Sequence, residues 1–321
     1  MLRYIARRVL WGIGLLFICS AVVFVIFYGL PSADPAALRA GQKANEREVE
    51  QIRENLGLDE PIYVQYGIYM RDLVLHFDFG YSYEYDAPVR DLIFDRLPAT
   101  LALVSGAMVL WLLTGIPTGI ISAIRSRSLL DRATMMTALV LISAPVFWLG
   151  LVALFLFAED VGVFPILPGI GSYVPLAEDP LGWVGSLILP WIVLAAASAA
   201  IYARYMRSSL IEVMGEDYIR TARAKGVPER RVILHHGVRS AITPVVTLLG
   251  LDIGVLLAGN AILTESVFNI PGVGRLVFGA IESADLPVIQ GVVLLGAFLI
   301  VLCNLLVDIA YAYLDPRVRY E

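Results

Sequence analysis

Apolar residues in this 321-residue chain neither alternate with polar ones nor keep to one helical face. They run in unbroken blocks about 20 residues long, the length that crosses a hydrocarbon core as a helix. Six blocks are legible, at 9–30, 99–124, 133–158, 184–204, 242–264 and 288–314, and they predict an all-α polytopic membrane protein with six transmembrane helices. The first block follows Arg3, Arg7 and Arg8, as a secretory signal would. Its apolar run is too long for a signal, and Tyr28-Gly29-Leu30-Pro31 offers no small-x-small cleavage site, so a retained anchor is predicted.

Residues 31–98 separate the first two blocks. Asn45 as N-cap, Glu48 three residues on, apolar Val49, Ile52 and Leu56, and Gly57 past the end predict a short helix. A Tyr-rich amphipathic stretch (63–75) and a turn-like stretch (77–83) follow. The segment is too short and polar for an independent enzyme domain and reads as a cap on the mouth of the membrane core. The predicted division is 1–98 as first span plus cap, and 99–321 as a five-helix core with one long polar loop at 205–241.

Composition agrees with the pattern. The chain is 58% hydrophobic and 17% charged, with a mean hydropathy of +0.75, where soluble domains are roughly 25% charged. This excludes a disordered acidic chain. A disulfide scaffold is excluded because the only cysteines, Cys19 and Cys303, lie inside apolar blocks.

Charge orients the spans. The amino-terminal tail, the loop holding Arg125, Arg127 and Arg132, the Arg204–Arg239 stretch and the carboxyl tail together hold 16 of the 24 basic residues. The short loops opposite hold one, Arg275. By the positive-inside rule, which exempts the long 31–98 segment, both termini face the cytoplasm. The outer segments sum to −12 and the cytoplasmic ones to +9. An acidic outer face favours cationic partners or simply keeps that surface solvated.

The polar loop carries the most specific pattern. Gly215 ends the helix leaving span four, Asp217 suits an N-cap, and eight residues follow without a helix breaker. Gly226 suits a left-handed helix end, and Pro228 suits the start of a second, basic helix over 229–239. The prediction is a short capped helix at the membrane surface, with little side-chain bulk at Ala222 and Ala224. Such a helix can insert into a groove on a cytoplasmic partner, or lie on anionic lipid.

DYIRTARAKG (217–226), with Val227 and the run to ITPVVTLLG (242–250), closely resembles the cytoplasmic loop of ABC-transporter permeases of the dipeptide/oligopeptide/nickel group, in particular the OppB/DppB-like first permease. YIARRVLWGI at the start, LGLDEPIYVQY (56–66), DFGYS (78–82), RLPATLAL (96–103), SAPVFWLG (143–150), ESVFNIPGVGRL (265–276) and LDPRVR (314–319) extend the resemblance over the whole chain. General ABC importers carry Glu-Ala-Ala where this chain has Arg220-Thr221-Ala222, and a Pro nearer the Gly than Pro244; peptide-type permeases share both departures. The resemblance implies a type I (MetI-like) permease core in a bacterial or archaeal inner membrane. It further implies a second homologous permease, two ATPase subunits that bind ATP and Mg, and an extracytoplasmic solute-binding protein. It places Asp217, Arg220, Thr221, Ala222, Arg223, Lys225 and Gly226 on the helix that couples to the ATPase. Asp217 would cap it, Ala222 would allow close approach, Gly226 would end it, and the basic residues would make polar contacts. Glu265, Phe268, Pro271, Gly272 and Gly274 fall on an outer gate or binding-protein contact. Di- or oligopeptides are the implied cargo, with nickel chelates, glutathione and oligosaccharides as alternatives.

The chain's own chemistry is sparse. A P-loop needs Gly-Lys-Ser/Thr, and the two lysines, Lys43 and Lys225, follow Gln42 and Ala224, so a nucleotide must bind elsewhere. The histidines, His76, His235 and His236, all fall outside the blocks, and no HExxH occurs, which argues against a membrane-embedded enzyme. No inverted repeat marks a secondary transporter. No cofactor, metal site or nucleic-acid partner is expected for this chain. Asp252 falls mid-block, where a charge costs about 2.5–3.5 kcal/mol to insert. It reads either as a translocation-path residue facing an ammonium or cation, or as a carboxyl protonated or hydrogen-bonded within the bundle. Asp308, with Asn304 one turn before it, reads as a packing or hinge contact.

Overall fold

The computed structural model describes residues 2–29, 36–37, 45–55, 59–256, 259 and 261–314. In chain order its helices are α1 (Leu2–Phe24), α2 (Glu46–Asn55), α3 (Ile62–Arg71), α4 (Val89–Ile124), α5 (Leu129–Ser143), α6 (Val146–Phe157), α7 (Pro180–Val213), α8 (Asp217–Ala224), α9 (Glu229–Arg231), α10 (Arg239–Val255), α11 (Ala261–Phe268), α12 (Val273–Glu282) and α13 (Leu286–Leu314). Wide π turns extend α1, α3 and α9. Among the described residues the only β pairings are single bridges, Tyr81 with Pro88 and Ala158 with Leu167. The chain groups into two compact units, Met1–Thr100 with Pro271–Glu321, and Leu101–Ile270, so the last span groups with the amino-terminal segment.

Among the described residues five helices are long and apolar enough to cross a bilayer, and there is a sixth crossing if a bent pair counts as one. That pair stands where a span was expected at 133–158: Leu129–Ser143 and Val146–Phe157 are bent by 106°. Pro145 supplies no N–H and forces the preceding residue out of the helical region, and Ala144 is extended at φ −85°, ψ 128°. The fifth crossing also begins earlier than expected, because α9, the π turn Val232–Val238 and α10 run on without a break.

In the first unit α13 packs along α1 and against α12. Val89, Ile93, Leu276, Ala280 and Val288 form its buried core, with Phe79 against them. Tyr66 on α3 meets Phe17 and Phe24 of α1 at 5.7 and 5.3 Å, and its hydroxyl lies 2.8 Å from Ser20 Oγ. The predicted helix after Asn45 is α2, whose Val49 N–H donates to the Asn45 carbonyl; Leu56 and Gly57 lie outside the described residues. The DFGYS turn is held by a buried acid that sequence reading passed over. Asp285 Oδ2 accepts from Ser82 Oγ at 2.5 Å and from the Glu84 N–H at 3.2 Å. Its signal was an acidic residue immediately before the Leu-Pro that opens α13.

In the second unit α7 is the central post, packed by α5, α6, α10 and α11. The face of α4 that meets it is made of glycine. A Cβ on Gly115 would lie 2.7 Å from the Ala199 carbonyl oxygen, and one on Gly119 would lie 2.6 Å from that of Ala203. Small residues let the two backbones approach this closely, which is how helices gain contact in lipid. Trp191 fills the space over Gly106 and donates its Nε1–H to the Ala102 carbonyl at 3.0 Å.

Candidate functional site

The loop after α7 folds as its spacing predicts, with one shift. Met214 and Gly215 close α7, and Glu216, extended at φ −69°, ψ 152°, takes the N-cap position without a side-chain cap bond. Asp217 is therefore the first helical residue and not the cap. Its carboxylate lies in the first turn, where it favours the positive end of the helix dipole and pairs with Arg220 Nη1 at 3.1 Å. Thr221 bonds back to the Asp217 carbonyl. Gly226 stands at φ +76°, the Val227 N–H donates to Ala222 at 3.2 Å and the Gly226 N–H to Arg223 at 2.9 Å. These two bonds form a Schellman closure that satisfies carbonyls left free by the helix end.

One residue seats this helix. Ile219 is fully buried, whereas Tyr218, Arg220, Thr221, Arg223, Ala224 and Lys225 are exposed. Ala222, three residues past Ile219, is half-buried on the flank of the seat, and Ala224 is the small residue on the open face. Arg223 does not project freely. Its Nε and Nη2 grip the Glu229 carboxylate at 3.1 and 2.7 Å, and that hydrogen-bonded carboxylate raises the guanidinium pKa above its ordinary value. The fork closes the Gly226-Val227-Pro228 corner and helps line a cavity of about 530 Å³ with Ala123, Ile124, Leu210 and Met214.

Since a Cβ at Gly226 would meet nothing within 4 Å, only its backbone angle constrains it. Gly226→Val is expected to destabilise the helix end by about 1–2 kcal/mol. Gly226→Asn, which tolerates the left-handed region, should cost less. Hydrogen exchange at 218–225 checks this: protection should drop for Val and hold for Asn.

A second constellation was missed. Asp131, 3% exposed at the start of α5, accepts from Arg207 Nε at 2.6 Å, Arg207 Nη2 at 2.8 Å, the Arg127 N–H at 2.8 Å, and Ser122 Oγ. Sequence reading took Arg207 for one of many loop cations, yet it sits in the last turns of α7. The available signal was Ser128 three residues before Asp131, a helix-start pattern in which the Asp131 N–H does bond Ser128 Oγ at 3.2 Å.

Other expected residues fall elsewhere. Asp252 is half-buried on α10 beside the Tyr202 hydroxyl, and Tyr202 itself is fully buried next to Trp111, ring centroids 5.9 Å apart. In the 265–276 stretch, expected as a contact loop, Glu265 is fully buried, Phe268, Gly272 and Gly274 are buried too, and Pro271 and Arg275 are exposed. The Glu265 and Phe268 carbonyls accept from the Ile270 and Gly171 amides. Much of this stretch is helix, α11 and α12, joined by a short turn. The side chain of Asp308 lies outside the described residues. His235 and His236 stack edge to face at 5.1 Å within the π turn. Among the described residues no three His, Cys, Asp or Glu side chains gather as metal ligands.

Comparison with known proteins covers the whole chain. Residues 115–320 match the family model described as binding-protein-dependent transport system inner membrane component, and residues 1–104 match its amino-terminal counterpart. A putative peptide transport system permease protein of Brucella abortus is 42% identical over 321 residues, covering 100% of both chains. The dipeptide transport system permease protein DppB of Alkalihalophilus pseudofirmus is 40% identical, and the glutathione transport system permease protein GsiC of Escherichia coli (strain K12) is 42% identical, each again covering 100% of both chains. With its helical spans and its short helix hung beneath α7, the chain belongs to the family of binding-protein-dependent transport system inner-membrane components.

Proposed function

We propose that this chain is a permease subunit of an ATP-driven importer for short peptides, paired with a second permease and driven by two separate ATPase subunits. The full-length likeness to permeases named for peptide, dipeptide and glutathione transport carries this reading. The distribution of Lys and Arg supports cytoplasmic termini and a cytoplasmic α8. There α8 would couple to an ATPase: it is exposed on all but its Ile219 flank, closed at its carboxyl end by the Schellman bonds, and joined by a short turn to the end of α7. Pro271 and the 31–98 segment would meet an extracytoplasmic binding protein. Asp252, half-buried in a span, would face the translocation path, where a carboxylate suits a peptide ammonium.

Co-expression with the neighbouring permease, ATPases and binding protein tests the reading. Vesicles loaded with ATP should take up labelled di- or tripeptide, and omission of either the ATPases or the binding protein should stop uptake. Ion-gradient-driven uptake by this chain alone would overturn it.

A further inference from the structure

We infer that Asp131, held by Arg207, Ser122 and the Arg127 amide, is the positioning centre that carries movement of the coupling helix into the membrane spans. The inference rests on the coupling role proposed for α8. None of these residues is placed at solute or nucleotide; they act by fixing the ends of three helices against one another.

The geometry assigns this role by what it joins. Ser122 belongs to the last turn of α4, Arg127 to the following loop, Asp131 to the first turn of α5 and Arg207 to α7. Each carboxylate oxygen accepts two bonds, Oδ1 from Arg207 Nε and Ser122, and Oδ2 from Arg207 Nη2 and the Arg127 N–H. Arg127 holds a left-handed φ of +66° to present that N–H. Arg207 lies six residues before Val213, the end of α7, or about 9 Å along a helix at 1.5 Å per residue. Past Val213 the chain turns at Gly215 directly into α8.

Force on α8 has a rigid route to Arg207. Buried Ile219 seats the helix, α8 packs on the π turn Val232–Val238, and Gly237 of that turn lies against Leu210 and Met214 at the foot of α7. Ser209 adds a hydroxyl bond to the Ala241 carbonyl, tying α7 to α10. The route to α4 is different. Between α8 and the end of α4 lies the 530 Å³ cavity lined by Ala123, Ile124, Leu210, Met214 and Arg223, so close packing does not transmit displacement there. The Arg207–Asp131 fork bridges α7 to α4 and α5 instead. A planar fork with two parallel bonds fixes orientation as well as distance, which a single ammonium contact does not.

The experiment uses the complete complex, permeases, ATPases and binding protein, reconstituted in liposomes, and reads peptide moved per ATP hydrolysed. Arg207→Lys keeps the charge and removes the fork. It should assemble and hydrolyse ATP within about two-fold of the parent while the transport-to-hydrolysis ratio falls about ten-fold, the scale of a lost coupling contact. Asp131→Asn should do the same. A loss of packing alone would instead lower both activities in step with the amount of assembled complex and leave the ratio unchanged, and that result overturns the inference. If Arg207→Lys fails to assemble, Ser122→Ala decides, since it removes one bond of four and spares the ion pair. Its ratio should drop about two- to three-fold, and an unchanged ratio overturns the inference. Ala224→Trp, run alongside, separates the two readings. Normal transport by that variant would reject α8 as the coupling helix, whereas its failure beside a normal Arg207→Lys ratio would reject only the role of Asp131.

Discussion

Ala224→Trp is expected to abolish ATP-driven uptake while leaving the chain folded and inserted in the membrane. Ala224 is the last residue of α8 and is exposed, so its side chain is not part of the Ile219 seat. The Schellman bonds run through the Ala222 and Arg223 carbonyls and are untouched. The intrinsic helix cost of Ala to Trp is only about 0.5 kcal/mol. If α8 seats in an ATPase groove as proposed, overpacking there costs about 2–3 kcal/mol, or about 30- to 150-fold in affinity. Copurification of ATPase and peptide-stimulated ATP hydrolysis should fall with uptake, while membrane yield and melting temperature stay at the parental values. Ala222→Trp should fail in the same direction but less cleanly, because Ala222 flanks buried Ile219 and its replacement also disturbs the seat.

Gly119→Val should have the largest effect on folding. The added Cβ would stand 2.6 Å from the Ala203 carbonyl oxygen and 2.8 Å from Met206 Cβ, and a backbone carbonyl cannot rotate aside. To relieve the clash α4 must move off α7, which loosens the Trp111–Tyr202 packing and the Ser122 bond to Asp131 at the same time. Overpacking of this kind costs about 3 kcal/mol or more. Recovery of monodisperse protein in detergent should collapse, or its melting temperature drop sharply. Gly67→Ala is the matched contrast. Gly67 lies exposed in α3, a Cβ there meets nothing within 4 Å, and removing a helical glycine should stabilise by about 0.5–1 kcal/mol.

Sequence read some features well because they are local. Gly226 has a backbone preference that a two-residue window reveals, and it stands where that preference puts it, whereas Pro228, expected in the first turn of the next helix, takes the N-cap position just before it. Long apolar runs likewise mark α1, α4, α7 and α13, since hydropathy over 20 residues reports solvent and not topology. The same averaging hid the break at Ala144-Pro145, because a bend leaves composition unchanged. The cap fell on Glu216 and not Asp217, since neighbouring acids compete for one position and only the turn geometry decides. Pairings were beyond reach. Arg207 and Asp131 are 76 residues apart, and nothing in the string distinguishes this arginine from those facing water. The Pro and Gly content of 265–276 marks the turn at Pro271-Gly272 but says nothing of the helices on either side of it.

Where the bent pair Leu129–Ser143 and Val146–Phe157 crosses as one span, its crease has a consequence for the surrounding lipid. A straight span answers a change in bilayer thickness by tilting. Here the arms are 15 and 12 residues, about 22 and 18 Å long, and neither alone reaches across a core of about 30 Å. Bent by 106°, they cannot lean together as one rod. Thinner or thicker acyl layers would instead press on the hinge itself, where Ala144 donates to Val140 and Ser143 folds back onto Leu139. Acyl-chain length is therefore a variable to fix before transport rates from different reconstitutions are compared.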